Sequence, residues 1–216
     1  MTRINVPLLD LAAQYQEIKP EMDAAIQRVL DSGHFILGPE VAAFEKETAA
    51  YLSVAHGVGV ASGTDALLLA LRALEIGPGD EVILPAYTFF ATIGTVLHVG
   101  ATPVLVDIDV QSYCMNIEQT RAKVTPATKA IIPVHLYGQA AEMDALTEIA
   151  REHDLSIIED NAQAFGADYK GRKTGGISDI GCLSFFPSKN LGGYGDGGMI
   201  VTNNLELAEK IRMLRA

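Results

Sequence analysis

Apolar residues recur along this chain with two different periods. Short apolar runs bounded by glycine, proline or charged residues predict β-strands at residues 56–61, 81–84, 102–106, 130–134, 155–159 and 180–185, with a further candidate at 199–202. Apolar residues at helical spacing predict helices at 20–30, 39–52, 89–99, 117–123 and 142–153, one that opens at Ser62, and a last one around 207–214. Residues 160–179 are predicted to be loop with short irregular strand.

Strands that alternate with helices indicate an α/β fold. Continuous apolar strands with helical crossovers imply a mainly parallel sheet that is covered on both faces. In such sheets, ligands bind at the carboxyl ends of the strands. Residues 82–106 carry no Asp, Glu, Lys or Arg and match a membrane span in length. Pro85, Gly94 and Pro103 are among the breakers that divide this segment, so we interpret it as strand, helix and strand of a buried core.

Composition and charge narrow the class of protein. Among 216 residues, 49% are hydrophobic and 20% are charged, which is typical of a globular domain. The formal net charge of -11 argues against a general nucleic-acid or membrane surface, so any anion must bind at a local site. Cys114 and Cys182 match no metal-ligand spacing, and we expect reduced thiols in a cytoplasmic protein without a metal site. The N-terminus has no signal-peptide pattern.

One lysine stands out because of its surroundings. Residues 182–186 form the apolar end of a predicted strand, Pro187 stops it, and Lys189 follows just before a glycine-rich run. A lysine in an apolar, glycine-lined site can lose its proton and act as a nucleophile that forms a Schiff base with a carbonyl or with pyridoxal phosphate. The alternative is an ordinary loop lysine with its amine in water.

Pyridoxal phosphate needs an amine for its aldehyde, an acid for its ring nitrogen, a phosphate site and a flat neighbour for the ring. Asp160 follows the strand at 155–159, and Gln163 lies three residues later, within reach of the ring's phenolic oxygen. Phe89 follows another strand and is a candidate for stacking on the ring. Each residue also has an ordinary interpretation, since an Asp after a strand is usually a turn residue and an aromatic beside Phe90 is usually core.

A phosphate site is predicted where a strand turns into a helix. Gly63 and Thr64 open the helix that begins at Ser62, and the free backbone N–H groups and the dipole of a helix N-terminus favour an anion. The hydroxyl of Ser184 is a further candidate phosphate ligand. The ordinary interpretation of Gly63 and Thr64 is a plain helix N-terminus.

Five motifs in this order resemble the DegT/DnrJ/EryC1/StrS family of sugar aminotransferases, and the resemblance runs almost from end to end. They are ASGTDA at 61–66, DEVILPAYTFFAT at 80–92, HLYGQ at 135–139, EDNAQA at 159–164 and FFPSKNLG at 185–192. The resemblance implies an aspartate-aminotransferase-like fold, the large domain of fold-type I pyridoxal-phosphate enzymes. This is a three-layer α/β/α domain with a mainly parallel seven-stranded sheet, in which residues 199–202 are the candidate antiparallel strand.

The resemblance also implies a domain division and a set of site residues. We expect an N-terminal helical arm at residues 1–35, a cofactor-binding large domain at 36–216, and no C-terminal small domain, because the chain ends within the helix that would lead to it. Lys189 would carry the cofactor, and Asp160 would be the second catalytic residue. The residues implied to bind the cofactor are Lys189, Asp160, Gln163, Ser184, Gly63, Thr64 and Phe89.

The implied reaction is transamination of a nucleotide-linked keto sugar, with glutamate or another amino acid as donor, by a homodimer. A related sugar dehydratase is one alternative, but dehydratases of this kind resemble the chain with histidine where Lys189 stands. A non-catalytic cofactor-binding or regulatory protein is a second alternative. A nicotinamide-dependent oxidoreductase is a third, suggested by Gly57, Gly59 and Gly63, but their spacing is not G-x-G-x-x-G.

Overall fold

In the computed structural model, which describes residues 6–216, helices alternate with strands as the sequence predicts. The helices are α1 (Leu11–Ser32), α2 (Pro39–Tyr51), α3 (Gly63–Ala73), α4 (Phe90–His98), α5 (Ile117–Ala122), α6 (Met143–His153) and α7 (Leu205–Arg215), with a 3₁₀ turn at Leu136–Gly138. The strands are β1 (His56–Val60), β2 (Glu81–Pro85), β3 (Thr102–Val106), β4 (Thr128–Ile131), β5 (Ser156–Asp160), β6 (Asp168–Tyr169), β7 (Arg172–Lys173), β8 (Ile180–Ser184) and β9 (Gly198–Thr202).

Seven of these strands form one sheet in the order β1-β9-β8-β5-β4-β2-β3. The pairs β2 with β3, β2 with β4, β4 with β5 and β5 with β8 are parallel. β9 runs antiparallel to both of its neighbours, β1 and β8. The predicted seven-stranded, mainly parallel sheet is therefore confirmed, as is the antiparallel strand at 199–202. β6 and β7 form a separate hairpin within residues 160–179.

Alternate residues of the sheet enter two different apolar cores. Val82 and Leu84 of β2 belong to one core, in which α3, α4 and α7 supply apolar side chains. Ile83, between them, belongs to the other core with Met143 and Leu146 of α6. Successive side chains of a strand point to opposite faces, so the sheet lies between two helical layers. This arrangement confirms the three-layer α/β/α architecture.

Residues 82–106 divide into strand, helix and strand, as their breakers predict. The division is β2, α4 and β3, and no helix in the described part of the chain is long and apolar enough to cross a membrane. The predicted strand at 130–134 is displaced: β4 ends at Ile131, and Val134 forms only an isolated bridge with Asp160. Pro133 explains the displacement, because proline has no N–H to continue the ladder.

Two compact units are present, one ending at Phe44 and one comprising Glu45–Ala216. Within the first, the predicted helix start at residue 20 is wrong, because α1 begins at Leu11 and contains Pro20 in its interior. The Asp10 side chain caps this helix by accepting a hydrogen bond from the Ala13 N–H at 2.9 Å. Proline costs one hydrogen bond in a helix interior, and this cost did not stop a helix of 22 residues. The domain division after residue 35 stays a prediction.

Candidate functional site

A cavity of about 400 Å³ lies at the carboxyl ends of the parallel strands. β5 and β8 end in it at Asp160 and Ser184, and the chain after β2 brings Phe89 to its wall. All seven residues named from the sequence line this one cavity. The lining residues are Ser62, Gly63, Thr64, Leu67, Thr88, Phe89, Ala91, Val134, Asp160, Ala162, Gln163, Ser184, Phe186, Ser188, Lys189 and Asp196.

One wall of the cavity is the N-terminus of α3. The Ser62 side chain caps this helix by accepting a hydrogen bond from the Asp65 N–H at 3.0 Å. A Cβ atom added to Gly63 would lie 2.6 Å from Cβ of Ser184, so only glycine lets α3 begin this close to the end of β8. The close approach places the Ser184 hydroxyl beside the first-turn N–H groups, and together they suit an anion.

Asp160 is almost fully buried at the floor of the cavity. Its Oδ2 accepts a hydrogen bond from the Thr92 hydroxyl at 2.8 Å, and its Oδ1 accepts one from the Ala162 N–H at 3.2 Å. Burial raises the pKa of Asp160 above its usual value, while the Thr92 and Ala162 bonds and the positive charge of Lys189 act in the opposite direction. A cation that binds beside Asp160 would therefore find a carboxylate that is already held in place.

Lys189 and Gln163 are both half-buried. The N–H of Lys189 donates to the Phe186 carbonyl oxygen at 2.8 Å, which closes a turn directly after β8. Of the described residues that line the cavity, Lys189 is the one that carries an amine. Gln163 accepts a hydrogen bond through Oε1 from the Tyr137 N–H at 3.0 Å. Because the amide oxygen is engaged, its Nε2 hydrogens are the groups that Gln163 can offer to a ligand.

Behind the cavity floor lies a buried pair of side chains, Glu159 and His135, each fully inaccessible to solvent. His135 accepts at Nδ1 from the Ala141 N–H at 3.1 Å, so its Nε2 carries the hydrogen that points to Glu159 Oε2 at 2.9 Å. Glu159 also accepts hydrogen bonds from backbone N–H groups of the loop before β8. They come from Gly175 (2.7 Å), Ile177 (2.8 Å) and Ser178 (2.8 Å).

Glu159 is therefore the buried carboxylate that ties this loop to β5. Burial raises its pKa, but the hydrogen bonds from His135, Gly175 and Ser178 outweigh burial and hold the pKa below its usual value. A carboxylate in this state stabilises the fold above the usual pKa of glutamate, and the stabilisation is lost as the pH falls through the folded value.

This pair leads to a stability prediction. Glu159→Gln puts an amide N–H₂ against donors, so we expect the free energy of unfolding at neutral pH to fall by about 3 kcal/mol. This corresponds to a melting temperature lower by roughly 6 to 12 °C. The difference from the unmodified chain should shrink as the pH falls below the usual pKa of glutamate and on through the lower pKa of the folded Glu159 carboxyl. Thermal unfolding followed by circular dichroism measures both effects. The exposed Glu47→Gln is the matched control, and equal melting temperatures for the two variants would contradict the role of Glu159.

The match to a known family is decided by the chain as a whole. The model of the DegT/DnrJ/EryC1/StrS aminotransferase family matches residues 16–216. The chain belongs to this family. The resemblance inferred from the five motifs is thereby confirmed.

Relatives in the DegT/DnrJ/EryC1/StrS family are similar over nearly all of this chain. A UDP-N-acetyl-3-dehydro-alpha-D-glucosamine 3-aminotransferase of Acidithiobacillus ferrooxidans is 56% identical over 97% of the chain and 57% of its own length. The structure of S. venezuelae DesV in complex with a ketimine intermediate has a TM-score of 0.97 and 54% identity, and it covers 99% of this chain and 57% of DesV.

NtdA from Bacillus subtilis with bound cofactor PMP has a TM-score of 0.90 and 38% identity, and it covers 97% of this chain and 48% of NtdA. These likenesses confirm the aspartate-aminotransferase-like fold that the family resemblance implied. The chain spans 57% of the length of the Acidithiobacillus relative and 57% of the length of DesV.

Four residues around the site received no role from the sequence. They are Thr88, Thr92, His135 and Tyr137, which all lie inside motifs of the DegT/DnrJ/EryC1/StrS family. Thr92 lies in the first turn of α4, whereas Phe89 precedes that helix with an extended backbone, so their spacing of three residues gave no signal. The Tyr137 contact had no signal, because it is made by a backbone N–H.

Proposed function

We propose that this chain binds pyridoxal 5'-phosphate and transfers an amino group from an amino acid, with glutamate as the candidate donor, to a nucleotide-linked keto sugar. One observation carries the proposal: a single cavity gathers an amine, a buried acid, an oriented amide, a helix N-terminus and an aromatic ring. The amination of a nucleotide-linked sugar is also what the name of the Acidithiobacillus relative describes.

The phosphate end of the cofactor fits the wall formed by α3. Gly63 has no side chain, which lets the first turn of α3 lie against Ser184 at the cavity wall. The first-turn N–H groups, the Thr64 hydroxyl and the Ser184 hydroxyl are all donors, which matches a phosphate dianion. In a chain of net charge -11, this is a local site for an anion.

The ring of the cofactor fits the side chains of Asp160, Gln163 and Phe89. Asp160 suits a protonated pyridine nitrogen, because a buried carboxylate with two hydrogen-bond donors behind it stabilises a positive charge in front of it. Gln163 has its oxygen engaged by Tyr137, so its N–H₂ suits the phenolic oxygen of the ring. Phe89 presents an exposed ring at the wall, which we propose as the stacking surface.

The chain's own residues then divide the chemistry among them. Bound pyridoxal phosphate supplies an electron sink for the electrons released at the α-carbon of the amino donor. Lys189 Nζ is the group that would hold the cofactor's aldehyde carbon, and as a free amine it would take a proton from the donor's α-carbon and return one during amination of the sugar. Asp160 is the group that would hold a proton on the ring nitrogen. The apolar side chains of Leu67, Ala91 and Val134 limit the water around the cavity floor.

Residues 36–216 are the proposed cofactor-binding domain, and a homodimer in the cytoplasm is the proposed state. Support for association comes from large apolar side chains that are exposed near the cavity, among them Phe89, Phe90 and Phe186. Support for a reducing compartment comes from Cys114 and Cys182, which are both unpaired and buried.

Amino transfer is tested by the donor half-reaction alone. The chain is loaded with pyridoxal phosphate, mixed with L-glutamate, and followed by absorbance and by chromatography of the released cofactor and of 2-oxoglutarate. We expect stoichiometric conversion to the pyridoxamine form. Glutarate, which has the two carboxylates of glutamate and no amine, is the matched control and should convert nothing.

The same experiment separates the alternatives. Tight binding of pyridoxal phosphate without conversion by glutamate or other amino acids would overturn amino transfer and leave the non-catalytic cofactor-binding protein. When a nucleotide-linked keto sugar is then added, its conversion to a dehydrated product without retention of the amino group would favour the dehydratase instead. Absence of cofactor binding would overturn the whole proposal.

A further inference from the structure

Thr92 is a buried residue near the start of α4 whose hydroxyl does not bond to a carbonyl oxygen of its own helix. It lies in the first turn of α4 and is fully inaccessible to solvent. Threonine hydroxyls inside helices commonly donate to the carbonyl oxygen three or four residues earlier. Thr95, one turn later and equally buried, does this, with its hydroxyl 2.9 Å from the Ala91 oxygen and 3.3 Å from the Thr92 oxygen.

Thr92 instead directs its hydroxyl away from its own helix. Its Oγ1 donates to Oδ2 of Asp160, which lies 68 residues later on β5, at 2.8 Å. The same Oγ1 lies 2.9 Å from the Thr88 hydroxyl. A hydroxyl has one hydrogen, and that of Thr92 is used on Asp160, so Thr88 must be the donor of the second bond. The two bonds run in one direction, from Thr88 through Thr92 to the carboxylate, and bonds in such a chain strengthen each other.

The donors on Asp160 come from two sides. Thr92 binds Oδ2, and the Ala162 N–H binds Oδ1. With one donor on each oxygen, the plane of the carboxylate is fixed, and each oxygen keeps a second lone pair for a ligand in the cavity. An Asp160 that lacked the Thr92 bond would be free to rotate about its last torsion angle.

We propose that Thr92 is a positioning residue for Asp160: its hydroxyl, oriented by Thr88, fixes the plane of the carboxylate beside the cofactor's ring nitrogen. The inference rests on the function proposed above and deepens it, because it names how the chain controls the acid that the cofactor needs. Thr92 itself does not line the cavity, so it acts through Asp160.

Other titratable groups face Asp160, and a substitution at Thr92 replaces none of them. Lys189 approaches from the loop after β8, and its positive charge lowers the pKa of Asp160; His135 follows β4 and is bonded to Glu159. Cys182 is the neighbour of Asp160 on β8, and burial and then the charge of Asp160 raise the pKa of the Cys182 thiol. Glu159 precedes Asp160 on β5. α4 contributes the Thr92 hydroxyl, which lowers the pKa of Asp160.

The test compares Thr92→Val with Thr95→Val. Valine keeps the branched shape, so each variant loses one buried hydroxyl, but only the first loses a bond to Asp160. The cofactor-free chains are titrated with pyridoxal phosphate from pH 5 to pH 9, and the dissociation constant is measured at each pH. We expect Thr92→Val to weaken binding about ten- to a hundredfold, the range for one hydrogen bond to a charged group. Thr95→Val should bind as the unmodified chain does.

The pH profile separates positioning from simple support of the fold. Removing a donor raises the pKa of a carboxylate, so the acid limb of cofactor binding should move to higher pH in Thr92→Val. Thr92→Ser, which keeps the hydroxyl, should restore both the affinity and the position of the acid limb. Thr88→Val removes only the hydroxyl that donates to Thr92. It should weaken cofactor binding and move the acid limb to higher pH, each by less than Thr92→Val does.

Equal affinities and equal acid limbs for Thr92→Val and Thr95→Val would overturn the inference while leaving the proposed function intact. Failure of the unmodified chain to bind pyridoxal phosphate would overturn both. If Thr92→Val does not fold, Thr88→Val and Thr92→Ser decide the question, because an unchanged acid limb in Thr88→Val contradicts the hydroxyl chain.

Discussion

Lys189→Ala is expected to abolish the visible absorbance of the cofactor–lysine bond and to slow the glutamate half-reaction by about 10⁴-fold. The side chain is the one amine among the described residues that line the cavity, so nothing replaces it as a base at the donor's α-carbon. Stopped-flow absorbance measures the rate in the loaded chain. Binding should persist, because Asp160, Gln163 and the N-terminus of α3 are unchanged.

Lys170→Ala is the matched control for this variant. Lys170 is exposed in the β6–β7 hairpin and is paired with Asp144, so its loss should leave the half-reaction unaffected. Added methylamine should restore part of the rate of Lys189→Ala, since a free amine in the open cavity can move the same proton. A Lys189→Ala chain that reacts within tenfold of the unmodified chain would show that Lys189 is not the base.

Asp160→Asn is expected to slow the half-reaction by roughly 10²- to 10³-fold, the cost of leaving a buried positive charge without its partner. Asparagine has the same size and can still bind both neighbours: its oxygen accepts from the Ala162 N–H, and its N–H₂ donates to Thr92 Oγ1 once the hydroxyls reverse. The loss therefore reports charge and not misfolding.

The same variant should have the opposite effect on the cofactor-free chain. Burial raises the pKa of Asp160 in the folded state, so the folded chain binds this proton more tightly than the unfolded chain does. Stability is consequently lost as the pH rises from the usual aspartate pKa through the folded value, and the cost is present at neutral pH. Asp160→Asn removes that cost and should raise the melting temperature by about 2 to 4 °C for each kcal/mol relieved.

Thermal melts with and without pyridoxal phosphate measure both effects. The melting temperature of the unmodified chain should rise when the cofactor binds. Asp160→Asn should have a higher melting temperature without the cofactor and a smaller rise on binding it. Asp154→Asn is the matched control: Asp154 is exposed and ends α6 with a left-handed backbone that asparagine also tolerates. An Asp160→Asn chain with a normal half-reaction and a lower cofactor-free melting temperature would contradict the assignment on both counts.

The sequence predicts the sheet well because its strands are continuous apolar runs with helices between them. Val82, Ile83 and Leu84 are all buried, and such a run is typical of a strand covered on both faces. The two errors of placement concern proline. Pro20 marked a helix start although Asp10 supplies a stronger cap, and Pro133 was included in a strand that it ends.

The sequence predicts which residues form the candidate site, but it does not predict the hydrogen bonds between them. Lys189, Asp160 and Phe89 each follow a strand, and the carboxyl ends of parallel strands meet at one edge, so their gathering follows from the topology. The bond from Thr92 to Asp160 joins residues 68 positions apart and depends on which way a hydroxyl turns. No periodicity or motif spacing carries that information.

The orientation of the Gln163 side chain could not be predicted from the sequence, because it also depends on a single hydrogen bond. Its partner is the backbone N–H of Tyr137, a residue with a left-handed backbone at φ 55°. A side-chain pattern does not reveal such a donor, because every residue except proline has the same N–H. The paired burial of Glu159 and His135 was likewise hidden, since both appear in the sequence as ordinary polar residues beside apolar strands.

The central claim is that Lys189 holds pyridoxal phosphate in this cavity, and borohydride reduction followed by peptide mapping tests it most directly. The unmodified chain is incubated with the cofactor, reduced, digested and analysed by mass spectrometry. We expect one phosphopyridoxyl group per chain, located on Lys189, and its absence when inorganic phosphate competes at high concentration. Label on Lys170 or Lys173 instead, or label that phosphate does not displace, would contradict it.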